Sequence, residues 1–215
     1  MEQYILALKK HWLIIFIVVV FTTVFSFGAS LIQTPKYKAS VKVLIIQKQA
    51  NRMDAYTASR SAQAIGEVLS KVVYTSSFFD QVMQTGFKIE KEQFSKDIEK
   101  REKEWKEMIS ASVIDEAGTV QINVFHFNQK QAEQIAYAIT YVMVTNGSQY
   151  HGGGEQIEIK MIDAPIVSKK PVKPDILQNT IAGFILGFLV SASVIILLAS
   201  KTERKKGKEI VQGKI

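Results

Sequence analysis

The residues that most often do chemistry in proteins are few and scattered in this sequence. It has three histidines and no cysteine. His11 precedes a long apolar run, His126 ends an alternating segment and His151 lies in a polar turn, a spacing that does not favour a shared metal site. The absence of cysteine excludes disulfide bonds and thiolate ligands. We therefore expect no metal site and no disulfide.

Sequence motifs for catalysis and cofactor binding are missing as well. There is no G-x-x-x-x-G-K-[ST] phosphate loop, no G-x-S-x-G nucleophile elbow and no H-E-x-x-H zinc helix. The glycine triplet at 152–154 lacks the strand and helix that flank a phosphate cradle, so it indicates a turn. Carboxylates are abundant, but nothing singles out a pair for acid–base work. The sequence predicts a protein that is not an enzyme and has no cofactor.

Two uncharged segments stand out from the rest of the chain, residues 12–33 and 176–200. Each is long enough to cross the hydrocarbon core of a bilayer as a helix, which takes about 20 apolar residues. A cleaved signal peptide is the alternative for the first segment, but its apolar run exceeds the roughly 7–15 residues of a signal core. We therefore expect two membrane spans.

Most of the net charge of +7 comes from the residues that follow the second span. Residues 201–215 carry a basic excess, and Lys9 and Lys10 precede the first span. Positive charge is retained on the cytoplasmic side, so both tails are expected there and the middle segment outside. The excess at the membrane boundary suits anionic lipid headgroups, whereas nucleic-acid binding would need a basic face on the folded domain. We expect no nucleic-acid partner.

Small and polar residues recur at every fourth position in both spans. The second span has Asn179, Gly183, Gly187 and Ser191, and the first has Thr22, Ser26 and Ser30. The spacing of Gly183 and Gly187 lets two helix backbones approach closely. Glycine and serine are also simply common in membrane helices, which is the alternative account. Two such stripes favour helix pairing, within one chain or between subunits.

The segment between the spans alternates between strand and helix patterns. Period-two alternation predicts strands at 37–46, 108–114, 119–127 and 155–165. Helical spacing runs through Ala62, Ile65, Leu69 and Val72, and a second clear helix begins at Asn128. These elements predict an α+β fold, with a sheet of about four strands and helices packed on one side.

A highly charged stretch, residues 90–108, is harder to place. Phe94, Ile98 and Trp105 fall on one face if the whole stretch is helical. We interpret it as a solvated helix with a narrow apolar stripe.

Three of the four prolines in the chain lie just before the second span: Pro165, Pro171 and Pro174. Proline fixes φ and removes a hydrogen-bond donor, so this proline segment should be stiff and extended. It could hold the domain at a set height over the bilayer, or it could be an ordinary linker. The predicted organisation is a cytoplasmic tail (1–11), a first span (12–33), an extracytoplasmic α+β domain (34–164), the proline segment (165–175), a second span (176–200) and a basic cytoplasmic tail (201–215).

The order of these features resembles the polysaccharide co-polymerase family, the Wzz-type chain-length determinants. The resemblance rests on P-x-Y-x-A-S-x-x-V at 35–43, on TVQINVFHFNQKQAEQIAYAI at 119–139, and on A-P-I-V-S-K-K-P-V-K-P at 164–174 before a glycine-bearing span. It implies a bacterial plasma-membrane protein without enzymatic activity that forms homo-oligomers. It also implies a role in chain length or export of capsular or extracellular polysaccharide, beside polymerase and export proteins.

The short middle segment, and the end of the chain 15 residues after the span, resemble the capsule proteins of Gram-positive bacteria in that family. There the cytoplasmic tail activates a separate tyrosine kinase. The residues implied for contact with a kinase or with lipid are Lys201, Arg204, Lys205, Lys206, Lys208, Ile210 and Val211. Direct contact with the polysaccharide is left open.

Two other functions are compatible with part of the sequence. A two-span sensor could bind a ligand outside and signal through a partner, because the short tail cannot itself fold as an output domain. An envelope hydrolase is disfavoured by the missing catalytic motifs.

Overall fold

The computed structural model describes residues 2–48, 54–152 and 154–212, with the backbone alone over 2–5, at 155 and over 201–212. The chain divides into two units, Met1–Thr34 with Pro174–Ile215, and Pro35–Lys173. The helices are α1 (Glu2–Lys10), α2 (Trp12–Ile32), α3 (Ala55–Val72), α4 (Ser76–Met83), α5 (Ile98–Met108), α6 (Gln129–Asn146), α7 (Ser148–His151) and α8 (Ile176–Gln212), and the strands are β1 (Tyr37–Gln47), β2 (Ile109–Val113), β3 (Thr119–His126) and β4 (Ile157–Val167).

The first unit contains two long apolar helices that pack against each other, α2 and α8. Trp12–Ile32 has a mean hydropathy of 2.4 and Ile176–Ser200 one of 2.7. Only 11% and 22% of their most apolar windows are buried, so neither resembles the core helix of a soluble domain. Large apolar side chains such as Phe21 and Phe25 point outward, each 70% exposed. Both helices are long and apolar enough to cross a membrane.

Helix α8 is longer than the predicted span. It runs without a break for 37 residues and includes most of the basic segment after Ser200. At about 1.5 Å per residue this helix is roughly 55 Å long, whereas the hydrocarbon core is about 30 Å thick. The predicted span and the backbone of the predicted tail as far as Gln212 therefore form one continuous helix.

The second unit is built on a four-stranded antiparallel sheet with the order β2-β3-β1-β4. Alternate residues of the two central strands are buried, as their period-two patterns predict. Helices α3 and α6 pack on this buried face. Helix α6 is capped by Asn128, whose side chain accepts hydrogen bonds from the backbone N–H groups of Lys130 and Gln131. The predicted α+β fold with four strands is confirmed.

The prediction of one solvated helix over residues 90–108 is wrong. Helix α5 begins only at Ile98, capped by Asp97, and Phe94 lies outside it. Trp105 is 1% exposed and Ile98 is 62% exposed, so the two do not share a buried face. The indole N–H of Trp105 donates to the backbone carbonyl of Val73 over 2.8 Å. The rings of Phe79 and Phe94 pack edge-on against it.

The proline segment is partly strand. Strand β4 extends to Val167, two residues beyond its predicted end, and includes Pro165. Pro165 lies on the edge strand, where the register with β1 shifts between Ser40 and Lys42. Proline has no N–H for a regular ladder, so an edge and an irregular register accommodate it. Pro171 and Pro174 lie in the non-helical stretch that follows.

The stretch after β4 also pairs with the start of the domain. The N–H of Val172 donates to the carbonyl of Lys36 over 2.8 Å, and the N–H of Lys36 donates to the carbonyl of Lys173 over 2.9 Å. These bonds join the two points at which the chain enters and leaves the second unit.

Candidate functional site

The two predicted small-residue stripes meet within one chain. The hydroxyl of Ser26 donates to the backbone carbonyl of Asn179 over 2.7 Å, and the Asn179 amide nitrogen donates to the Ser30 hydroxyl over 2.9 Å. A Cβ placed on Gly183 would lie 2.6 Å from the Cβ of Ser26. One on Gly187 would overlap the hydroxyl of Thr22. Helices α2 and α8 therefore approach too closely at these positions for a larger side chain.

Ser191, the last residue of the stripe, has a different environment. Its hydroxyl donates to the carbonyl of Phe188 within the same helix, over 3.0 Å. It lines a cavity of about 320 Å³ between α8 and the residues around His11. Most of the lining is aliphatic, including Val18 and Val194. The close approach of α2 and α8 thus involves Asn179, Gly183 and Gly187, and Ser191 borders a gap.

The residues assigned to kinase or lipid contact have their side chains outside the described part of the structure. These residues are Lys201, Arg204, Lys205, Lys206, Lys208, Ile210 and Val211. Their backbone continues α8 as far as Gln212. Their assigned contacts remain predictions.

Among the side chains that the structure describes, no group of three or more histidine, aspartate or glutamate residues lies close enough to hold a metal ion. Each histidine instead has its own setting. His126 is buried at the end of β3, and His151 is half-buried in α7. Burial lowers the pKa of both imidazoles below their ordinary value.

His126 forms hydrogen bonds at both ring nitrogens, and its burial favours the neutral form. The backbone N–H of Asn128 donates to Nδ1 over 2.9 Å, so the other ring nitrogen, Nε2, carries the proton. The Nε2–H group donates a hydrogen bond to the side-chain oxygen of Gln93. The side-chain amide nitrogen of Gln93 is buried and has no hydrogen-bond partner among the described residues.

A pocket of about 250 Å³ surrounds this pair at one end of the sheet. It combines aromatic and carboxylate side chains, which the sequence brings from three segments. The lining residues are Lys36, Gln93, Phe94, Glu104, Glu107, Met108, Phe125, His126 and Phe127. Sequence reasoning did not find this pocket, although the run Phe125-His126-Phe127 marks one of its walls.

Together, the fold defines a two-span membrane protein whose spans flank one α+β domain along the chain. A family model described as chain length determinant protein (Wzz) matches residues 2–91. The capsular polysaccharide biosynthesis protein CpsC of Streptococcus agalactiae is 22% identical over 204 residues, covering 95% of this chain and 84% of that protein. CpsC of the serotype Ia strain of the same species matches equally well. These matches confirm the resemblance to the Wzz-type chain-length determinants that the sequence motifs indicated.

Proposed function

We propose that the protein is a non-enzymatic membrane scaffold that regulates the chain length or export of capsular or extracellular polysaccharide. The observation that carries this proposal is the similarity to CpsC over 95% of the chain, which includes both spans and the whole domain between them. The family model for chain length determinants supports the same role. A scaffold of this kind acts by positioning other proteins and the growing polymer, so it needs no catalytic site.

The proposed orientation places both tails in the cytoplasm and residues 34–175 outside. Basic residues lie before the N-terminal end of the first span and after the C-terminal end of the second, as the positive-inside rule requires for this arrangement. The activity of a reporter enzyme fused after Ile215 is expected on the cytoplasmic side of the membrane. Activity of that fusion on the outer surface would contradict the orientation.

A cytoplasmic tyrosine kinase is the proposed partner of the basic end of α8. The helix extends 12 residues past Ser200, about 18 Å beyond the span. A continuous helix would present its basic residues at a fixed angle to the membrane surface, where they could contact a kinase or anionic lipid.

Homo-oligomers are also proposed, with contacts away from the glycines of α8. Gly183 and Gly187 already pack against α2 of the same chain. Subunits would therefore meet through other faces of the spans or through the outer domain. Polymerase and export proteins are the further partners that this role requires.

The deciding experiment is to size the surface polysaccharide with and without the gene. Loss of the gene should change the length distribution or the amount of polymer, and the wild-type gene should restore it. An unchanged polymer would contradict the proposal and favour the two-span sensor. That rival predicts a ligand-dependent change in cross-linking between the spans, which can be measured in the same cells.

A further inference from the structure

We propose that the pocket around Gln93 and Phe127 binds one uncharged, hydroxyl-bearing sugar unit of the polysaccharide. This inference rests on the proposed function, and it adds a direct binding site to a protein otherwise proposed to act as a scaffold. Four properties of the pocket carry it: its aromatic walls, its carboxylates, an unpaired amide donor and its size.

The aromatic walls offer flat apolar surfaces to a ligand. Phe94 is almost fully buried, Phe125 is half-buried and Phe127 is 57% exposed. The C–H faces of a sugar ring pack well on aromatic rings, and binding sites for small molecules are mostly lined by such side chains. The ammonium group of Lys173 lies 3.9 Å from the centre of the Phe125 ring, which fixes that ring by a cation–π contact.

The carboxylates supply acceptors for hydroxyl groups. Glu104 and Glu107 are three residues apart on α5 and so lie on one side of the helix. The backbone N–H of Ser95 donates to Glu104 over 2.9 Å, which orients that carboxylate. Hydrogen bonds from hydroxyl donors to ionised carboxylates are stronger than those between neutral groups.

Gln93 supplies the complementary donor. Its side-chain oxygen accepts a hydrogen bond from His126, so only its amide nitrogen is left to donate to another group. That nitrogen is buried and unpaired among the described residues, a state that costs free energy until an acceptor arrives. This nitrogen has no exposed surface, so a ring or hydroxyl oxygen of a sugar would satisfy it only after a small rotation of the Gln93 side chain.

Charge and size narrow the ligand further. The two carboxylates are balanced by the amine of Lys36 and by that of Lys173 on the Phe125 ring, so the pocket has no net positive charge to attract an acidic sugar. The volume of about 250 Å³ is just below the usual range of about 300–1,000 Å³ for small-molecule sites. The pocket therefore suits a single uncharged ring within a longer chain.

The test is calorimetric titration of the full chain in lipid nanodiscs. The probes are oligosaccharides from partial hydrolysis of the surface polysaccharide of the source cells, separated by anion exchange into neutral and acidic fractions. The variants are Phe127→Ala and Glu107→Gln, both at exposed positions, with circular dichroism to verify folding. The matched control is Tyr141→Ala, an aromatic residue 53% exposed outside the pocket.

The neutral fraction should bind the wild type, and each pocket variant should bind about tenfold more weakly, the effect of one lost hydrogen bond or ring contact. The Tyr141→Ala control should bind within about twofold of the wild type. The proposal is overturned if only the acidic fraction binds, if the pocket variants bind as tightly as the wild type, or if Tyr141→Ala is the variant that loses binding.

Failure of the site and failure of the function are separable. If neither fraction binds but loss of the gene changes polymer length, the sugar site is wrong and the scaffold role stands. If loss of the gene leaves the polymer unchanged, the scaffold role fails whatever the titration shows, and with it the premise of the sugar site.

Discussion

Ser26 of α2 donates its hydroxyl proton to the backbone carbonyl of Asn179 in α8 over 2.7 Å. Asn179 in turn donates from its side chain to Ser30 over 2.9 Å. Water is absent from the hydrocarbon core, so polar groups there must be satisfied within the protein. Each hydrogen bond between membrane helices contributes about 0.6 kcal/mol on average. The two bonds fix the register in which the small residues of α2 and α8 meet.

Gly187→Leu is expected to separate the two spans. A side chain at this position would overlap Thr22, which the helices can avoid only by moving apart. Because the chain has no cysteine, the pair Ser30→Cys and Asn179→Cys gives a background-free reporter of the distance. Oxidation should cross-link this pair within one chain, visible as faster gel migration, and Gly187→Leu should abolish the cross-link.

Gly28→Leu is the matched control for that experiment. It makes the same substitution in α2, where an added Cβ has nothing within 4 Å, and should leave the cross-link intact. Cross-links of dimer size would show that the stripes pair between subunits, whereas equal cross-linking within one chain in both leucine variants would contradict the close approach at Gly187.

The regular elements of this fold could be predicted because their patterns are local. Strand β1 alternates between buried and half-buried residues over most of its length, and the apolar residues of α6 recur at helical spacing. Trp105 could not be placed in this way, because charged residues surround it in sequence and its partners Phe79 and Val73 come from other segments. Tertiary packing decided its burial.

The sugar-site pocket was hidden from the sequence for a similar reason. Gln93 and Glu107 belong to the charged stretch that resembles a solvated surface, while Phe127 follows a strand. Only folding brings them together at the end of β3. The helix-pairing residues, by contrast, share a four-residue period that is visible in the sequence, although the period alone does not distinguish pairing within a chain from pairing between chains.

Trp105→Ala should destabilise the outer domain strongly. The substitution removes a fully buried indole, its contacts with Phe79 and Phe94 and its hydrogen bond to Val73. Loss of a large buried aromatic side chain costs about 3–5 kcal/mol. Urea unfolding of the full chain, followed by near-ultraviolet circular dichroism, measures this change.

Ile98→Ala is the control on the same helix, because Ile98 is 62% exposed. It should change the free energy of unfolding by less than about 0.5 kcal/mol. Equal effects of the two substitutions would mean that Trp105 lies on a solvated face, as the sequence pattern indicated.

Gly118→Ala should weaken the hairpin between β2 and β3. Gly118 has a φ of +82°, and a Cβ there would lie 2.8 Å from the carbonyl carbon of Ala62. The left-handed backbone costs an alanine roughly 1–2 kcal/mol, and the clash adds to this. Gly152→Ala separates the two terms, since Gly152 has a φ of +65° but nothing within 4 Å of an added Cβ. A lower urea midpoint for Gly118→Ala than for Gly152→Ala is expected, and equal midpoints would exclude the clash.

Acid should destabilise the outer domain through His126. Burial holds the pKa of His126 below its ordinary value of 6.5, so the unfolded chain binds this proton more readily than the folded one. The stability contributed by the neutral imidazole is fully present above about pH 6.5 and is lost as the pH falls through the lowered pKa. The melting temperature should therefore be lower at about pH 5.5 than at about pH 7.5.

His126→Asn should flatten this pH dependence, because the asparagine oxygen can still accept from the Asn128 amide but does not titrate. The pKa of Asp115 is lowered from 3.8 by hydrogen bonds from Thr119. Its contribution to stability is therefore lost only at more acidic pH and does not affect the comparison between about pH 5.5 and about pH 7.5. His151, whose pKa burial also lowers, accounts for any slope that remains. An unchanged slope in His126→Asn would assign the effect to other groups.

Removal of residues 201–215 should abolish activation of the proposed tyrosine kinase without preventing membrane insertion. The structure adds a sharper variant, because the backbone of α8 continues as one helix through this segment to Gln212. Glu203→Pro should break the helix, at a cost of about 3 kcal/mol. Glu203→Ala removes the same charge but leaves the helix intact. With a tyrosine kinase of the source cell co-expressed, autophosphorylation should fall in the deletion and in the proline variant but persist with alanine. Full phosphorylation in the deletion would remove the kinase from the proposal, and full phosphorylation in Glu203→Pro alone would show that the tail acts without a continuous helix.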